Sequence, residues 1–187
     1  MNLPNKLTLT RLILAVPFIY ILENSPENGM MYRLLALLIF VVASITDFFD
    51  GYLARKHNLI TDFGKIMDPL ADKILVISAL VVMVYLRYIP SWMSIVIIFR
   101  EFLISGIRMV VAAKGEVIPA SKLGKYKTTS QMIAIMLMII LGNNANEVYT
   151  FIPKHYNFYL MLIPVILTIW SGWEYVQNTK HYFLDMD

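Results

Sequence analysis

The chain has 187 residues, 58% of them hydrophobic and only 16% charged, whereas a soluble domain runs nearer about half apolar and about a quarter charged. The formal net charge is +3 and there is no cysteine, which excludes disulfides and thiolate chemistry. Because the apolar excess is gathered into long runs, composition argues against an ordinary water-soluble domain and for an integral membrane protein; at roughly 20 apolar residues per crossing, the length accommodates about six spans in one compact domain over residues 1–187.

Met1 to Arg11, MNLPNKLTLTR, reads as a polar, amphipathic lead-in, and an apolar run follows from Leu12 to Leu22. Cations ahead of a short apolar core resemble a secretory signal, but no small-x-small cleavage pattern follows in ENSPENG, so this run is expected to stay as the first span. Glu23 to Met30 is turn-rich, with Pro26 and Gly29. The second span is expected over Met31 to Tyr52, and its far end carries Asp47 and Asp50. A polar loop, Lys56 to Phe63, leads to a third span from Gly64 to about Tyr85. That span carries Asp68 and Asp72 in its first turns, and Pro69 fits an early helical turn where its missing N–H is not needed.

Arg87 to Ser91 is a tight connection. The fourth span, Trp92 to Ala113, is interrupted by Arg100, Glu101 and Arg108; the two arginines are eight apart, close to two turns, and so lie near one face. Lys114 to Thr129 reads as a basic loop with Lys114, Lys122, Lys125 and Lys127. The fifth span, Ser130 to Leu141, is short unless its first turns begin near Tyr126. Gly142 to His155 is a polar loop, and the sixth span covers Tyr156 to Tyr175, ahead of the tail QNTKHYFLDMD. Trp92, Tyr149, Tyr156, Tyr159, Trp170, Trp173 and Tyr175 cluster near span ends, as an interfacial aromatic belt requires. His57, His155 and His181 are scattered without metal-ligand spacing and read as surface or interfacial residues. The twelve methionines read as padding at helix interfaces.

Lysine and arginine placement sets orientation. One side collects Lys6, Arg11, Arg55, Lys56, Lys65, Lys114, Lys122, Lys125 and Lys127; the other has Arg33, Arg87 and Lys154. The rich side is expected to be cytoplasmic, and Asp47, Asp50, Asp68 and Asp72 fall at its edge. Aspartates three and four residues apart on helices share a face. Carboxylates gathered in a low dielectric repel unless they are protonated or neutralised by cations, and aspartate oxygens without His or Cys suit hard ions such as Mg²⁺ or Mn²⁺. An acidic cluster that holds divalent ions beside a basic patch suits a phosphate-bearing substrate at a lipid interface. The plainer reading pairs these aspartates structurally with Lys65, Lys73, Arg100 or Arg108. It is adequate for a single intramembrane aspartate and weak for four at this spacing. Arg100 and Glu101 either satisfy each other or aspartates inside the bundle, or serve the site, and the lysines of the fourth loop either orient the chain or bind anionic lipid, or serve the site.

Asp47-x-x-Asp50-Gly51-x-x-Ala54-Arg55, eight residues, then Gly64-x-x-x-Asp68-x-x-x-Asp72 resembles the full signature of the CDP-alcohol phosphotransferase family, with every fixed position present. LPNKLTLTR near the start and the stretch from Arg100 to Met132 look like the bacterial phosphatidylglycerophosphate synthase branch, so the likeness covers nearly the whole chain. The resemblance implies an all-α integral membrane fold of six transmembrane helices. It implies that Asp47, Asp50 and Asp68 ligate two divalent ions, Mg²⁺ or Mn²⁺, with Asp72 beside the second ion as catalytic base. Gly51 and Ala54 would leave room for the cytidine nucleotide, Arg55 and Thr61 would contact the CDP group, and Asn5 and Thr8 would border it. Arg108, Lys122 and Lys125 would hold the glycerol phosphate.

The implied reaction moves the phosphatidyl group of CDP-diacylglycerol to sn-glycerol 3-phosphate. The implied setting is a bacterial inner membrane, with the site facing the cytoplasm, a homodimer embedded in the bilayer and no nucleic-acid partner. Alternatives are the same chemistry with inositol phosphate, serine or phosphatidylglycerol as acceptor. The basic Arg108–Lys127 region favours a phosphorylated acceptor. A cation transporter that uses the aspartates as a path is a further alternative, but neither the internal repeats nor the broken helices usual in such proteins are evident.

Overall fold

The computed structural model describes the backbone of residues 3–57, 62–113, 121–142 and 156–180, and side-chain surroundings within 9–46, 73–112, 121–142 and 156–180. The described residues form six helices and no strand: α1 (Leu3–Glu23), α2 (Ser25–His57), α3 (Asp62–Tyr85), α4 (Ser91–Ala113), α5 (Lys122–Leu141) and α6 (Tyr156–Thr179). They divide into two compact units, Met1–Tyr88 with Met136–Phe151, and Ile89–Ile135 with Ile152–Asp187.

In the first unit, the lead-in expected ahead of the first span is not a separate element; α1 runs unbroken through it. The expected turn before the second span is present at Gly29, whose φ of 70° is open to glycine and costly for other residues. α1 packs against both α2 and α3. Its buried stripe is Ala15, Phe18 and Leu22, and that of α2 is Ala36, Phe40 and Ala43, with the Phe18 and Phe40 rings 5.7 Å apart. Buried alanines at such seams let helix backbones approach closely, so that dispersion can replace a hydrophobic drive that is weak in lipid.

α3 ends in a Schellman motif. The Tyr88 amide donates to the Met83 carbonyl at 2.9 Å and the Arg87 amide to the Val84 carbonyl at 3.0 Å, with Arg87 in the left-handed region at φ 59°. Tyr88 then folds inward, where burial pushes its phenol above the usual tyrosine range against the opposing pull of Arg33.

In the second unit, α4 and α6 lie side by side. Contacts advance along both helices together, Trp92 with Phe158, Arg100 with Ser171 and Arg108 with Tyr175, so the two run parallel. Gly172 is where the stem of Arg100 crosses α6, since a Cβ there would meet the arginine Cγ at 3.3 Å. Pro164 interrupts the α6 ladder, and the Thr168 hydroxyl donates to its carbonyl at 2.6 Å.

Two stretches among the described residues are long and apolar enough to cross a membrane, Ser25–Thr46 and Tyr156–Thr179; Lys73–Tyr85 is a shorter apolar one. Polarity is distributed inside out. Arg11, Arg33 and Lys127 are buried, while Ile13, Val16 and Tyr20 on α1, Ile95, Phe99 and Phe102 on α4, and Ile163, Ile166 and Trp170 on α6 are all more than half exposed. In water such faces would be an aggregation hazard, whereas hydrocarbon solvates them. This is the surface of a membrane protein.

Candidate active site

The acidic half of the expected site lies on the first unit. Asp47, Asp50, Gly51, Ala54 and Arg55 fall on α2, Asp68 and Asp72 on α3, and Asn5 and Thr8 on α1, the helix that packs against both. The α2 helix continues through all of its signature positions, so Asp47, Asp50, Gly51 and Ala54 recur at i, i+3, i+4 and i+7, the register of one helical face. Asp68 and Asp72 are one turn apart on α3. The side chains of all these residues, and Thr61 altogether, lie outside the described residues. Because α3 begins at Asp62, Pro69 sits in its third turn, deeper than the early turn expected from sequence.

The basic half lies on the second unit, and part of it differs from expectation. Lys122, Lys125 and Lys127 are not in a loop: α5 begins at Lys122. Ser121 starts it, its Oγ accepting from the Gly124 amide at 3.0 Å as an N-cap does. Lys122 and Lys125 are exposed on the first turns, where the helix N-terminus adds its own positive potential. Lys127 is turned inward, and its Nζ donates to Glu101 Oε1 of α4. The same carboxylate oxygen accepts from Arg100 Nη1 at 3.2 Å, and Arg100 Nη2 donates to Ser171 of α6 at 3.1 Å. The Arg100–Glu101 question thus resolves toward mutual satisfaction inside the unit, with Lys127 as a further partner.

Arg108, two turns on, is exposed. Its Nε donates to the Tyr175 hydroxyl at 3.3 Å, and its guanidinium carbon stands 5.6 Å from the centre of the Tyr175 ring. Sequence reasoning puts Tyr175 in the interfacial belt; the structure buries it at 4% exposure among Ile104, Ile107 and Val111. Trp92, Tyr159, Trp170 and Trp173 are exposed, as a belt requires, and Tyr149 lies outside the described residues. A signal for Tyr175 does exist in the sequence: an arginine within an apolar helix needs a partner, and a tyrosine near the end of a neighbouring helix is an amphipathic one.

The donor set on α2 and α3 is all aspartate, and hard divalent cations are what such a set fits. Exposed cations at Arg108, Lys122 and Lys125 suit a phosphate.

Comparison with known proteins places the chain in a family. A family model described as CDP-alcohol phosphatidyltransferase matches residues 1–170. A Bacillus subtilis (strain 168) protein named CDP-diacylglycerol–glycerol-3-phosphate 3-phosphatidyltransferase is 44% identical over 183 residues, 93% of each chain. Proteins of the same name are 40% identical in Rickettsia bellii, over 97% of each chain, and 40% identical in Haemophilus influenzae, over 98% of this chain and 96% of the relative. With the signature intact on α2 and α3 and the match running through both units, the chain belongs to the CDP-alcohol phosphatidyltransferase family.

Proposed function

We propose that this protein is a CDP-diacylglycerol–glycerol-3-phosphate 3-phosphatidyltransferase, which converts CDP-diacylglycerol and sn-glycerol 3-phosphate to phosphatidylglycerophosphate and CMP in phospholipid biosynthesis. The observation that carries the reading is the pairing of the complete aspartate signature with full-length relatives that share that name. The exposed Arg108, Lys122 and Lys125 support a phosphorylated acceptor over serine.

Asp47, Asp50 and Asp68 would hold two divalent cations, Mg²⁺ or Mn²⁺, with Asp72 beside the second; when bound, such ions neutralise the pyrophosphate and the charge that develops as CMP departs. Gly51, Ala54, Arg55 and Thr61, bordered by Asn5 and Thr8, take the CDP moiety, while the acyl chains stay in the bilayer. Arg108, Lys122 and Lys125 hold the acceptor phosphate. Asp72 takes the proton of the acceptor's primary hydroxyl; that oxygen bonds to the β-phosphorus, and the bond from β-phosphorus to the CMP oxygen breaks. The product keeps the acceptor oxygen, CMP leaves with the bridging oxygen, and no covalent enzyme intermediate is needed. The chain works as one membrane domain with six crossings in a bacterial inner membrane, its site toward the cytoplasm, and pairs with a second copy. The outward apolar faces of α1, α4 and α6 and the lysine–arginine asymmetry support this placement.

The test is CMP release by purified protein with Mg²⁺ or Mn²⁺, CDP-diacylglycerol and each acceptor in turn. Release is expected with glycerol 3-phosphate and is expected to stop on chelation. Release only with serine, inositol phosphate or phosphatidylglycerol would move the chain to another branch of the family. No release with any acceptor would overturn the reading.

A further inference from the structure

We infer that Tyr175 is a positioning residue for the acceptor-phosphate site: it holds the Arg108 guanidinium by Nε and by its ring, and leaves the two terminal nitrogens to grip the phosphate of the incoming glycerol phosphate. The inference rests on the proposed role of Arg108, and names how that role is built.

An exposed arginine on a lone helix samples many rotamers, and each must be frozen before a bidentate grip forms. Here two contacts restrict it. Nε donates to the Tyr175 hydroxyl at 3.3 Å, and the guanidinium carbon lies 5.6 Å from the ring centre, within cation–π range. The tyrosine is itself fixed, 4% exposed and packed with Ile104, Ile107 and Val111 of α4. Among the described residues Nε is the only Arg108 nitrogen in a hydrogen bond, so the edge that suits a phosphate is left open. The other arginine of α4 shows the contrast. Arg100 spends its terminal nitrogens on Glu101 and on Ser171, one turn before Tyr175 on α6. α6 thus ties down both arginines, one by its tips and one by its neck, and only the second keeps a free grip.

The experiment is steady-state kinetics of the purified full chain in mixed micelles, varying glycerol 3-phosphate and CDP-diacylglycerol separately, with thermal midpoints measured alongside. Tyr175→Phe keeps the ring and loses the hydroxyl. It is expected to raise KM for glycerol 3-phosphate about five- to tenfold, as loss of a long hydrogen bond to a charged group implies, with kcat and the KM for CDP-diacylglycerol within about twofold of the parent. Tyr175→Met, which fills the space without a ring, is expected to raise it further and serves if the first variant does not fold. In an Arg108→Ala background Tyr175→Phe should add nothing. If Arg108→Ala raises that KM and neither Tyr175 variant does, the positioning role is overturned and the acceptor site stands. If Arg108→Ala leaves it unchanged, the acceptor site itself is wrong and the positioning role falls with it. A Tyr175→Phe variant that loses thermal stability without the selective KM shift would mark Tyr175 as core only.

Discussion

Lys127 Nζ donates to Glu101 Oε1 with the lysine side chain only 2% exposed, and that same carboxylate oxygen also accepts from Arg100. One anion therefore serves two cations in the interior of the unit. Removing it takes the same anionic partner from both, whereas removing the lysine leaves Glu101 still partnered by Arg100. Glu101→Gln is accordingly expected to destabilise the protein more than Lys127→Met. The first should approach the roughly 3 kcal/mol typical of breaking a buried pair, and the second should fall clearly below it. Thermal midpoints in detergent would check the order, and a larger loss from Lys127→Met would refute the shared-anion arrangement.

The same contact shows how far sequence reasoning reaches and where it stops. Helix number and approximate bounds follow from hydropathy, because an apolar run of span length is costly to leave in water and is most cheaply buried as a helix. The acidic signature is fully legible, since each of its residues is fixed by spacing along one chain segment. Lys127 is not. In one dimension it is one more cation among Lys114, Lys122 and Lys125, and only the three-dimensional partner, Glu101 on α4, withdraws it from that set. The start of α5 is hidden for a related reason: the lysines lower mean hydropathy below the level of a span, although Ser121 with Gly124 is a workable cap and the helix simply begins in polar sequence. Tyr175 falls into the aromatic belt by position because spacing cannot distinguish an aromatic facing lipid from one facing a neighbouring arginine.

Arg87 occupies the left-handed C′ position of the Schellman motif that ends α3, at φ 59°. A side chain there costs about 1–2 kcal/mol in backbone strain, part of which glycine returns as lost unfolded-chain restriction. Arg87→Gly should therefore stabilise the protein by about 0.5–1 kcal/mol, seen as a raised thermal midpoint. The substitution also removes one of three cations on the expected outer side, so the cytoplasmic bias should strengthen and membrane topology should hold.

Gly142 closes α5 against Tyr88. A Cβ at this position would stand 2.5 Å from the tyrosine Oη and 2.9 Å from Cζ. The ring is buried and its backbone is pinned by the α3 cap, so it has little room to retreat. Gly142→Ala is expected to cost about 1–3 kcal/mol. Adding Tyr88→Phe removes the nearer clash and leaves that with Cζ, so the double variant should recover part of the loss and not all of it. Full tolerance of Gly142→Ala would show that the two residues do not meet.

The aspartates on α2 and α3 should separate by role once metal binding and turnover are measured independently. Asp47 and Asp50 occupy one face of α2 by register, and Asp68 lies one turn before Asp72 on α3. In the proposed mechanism Asp68 is needed to hold the cations and Asp72 chiefly to take a proton. Asp68→Asn exchanges a charged ligand for a neutral one and should weaken Mn²⁺ binding, read by titration calorimetry or by the Mn²⁺ paramagnetic signal, and activity should rise again with excess metal. Asp72→Asn keeps the shape and one oxygen donor but cannot accept the proton. Its metal binding should stay near the parent level while turnover falls by at least the roughly 10²–10⁴-fold that general base catalysis contributes, with no rescue by excess metal. The pairing of the two outcomes is the discriminating result. If Asp72→Asn turned over normally, the base would have to be sought elsewhere. If both variants lost metal equally and both were rescued by it, the four carboxylates would form an undivided cation site with the acceptor proton leaving by another route.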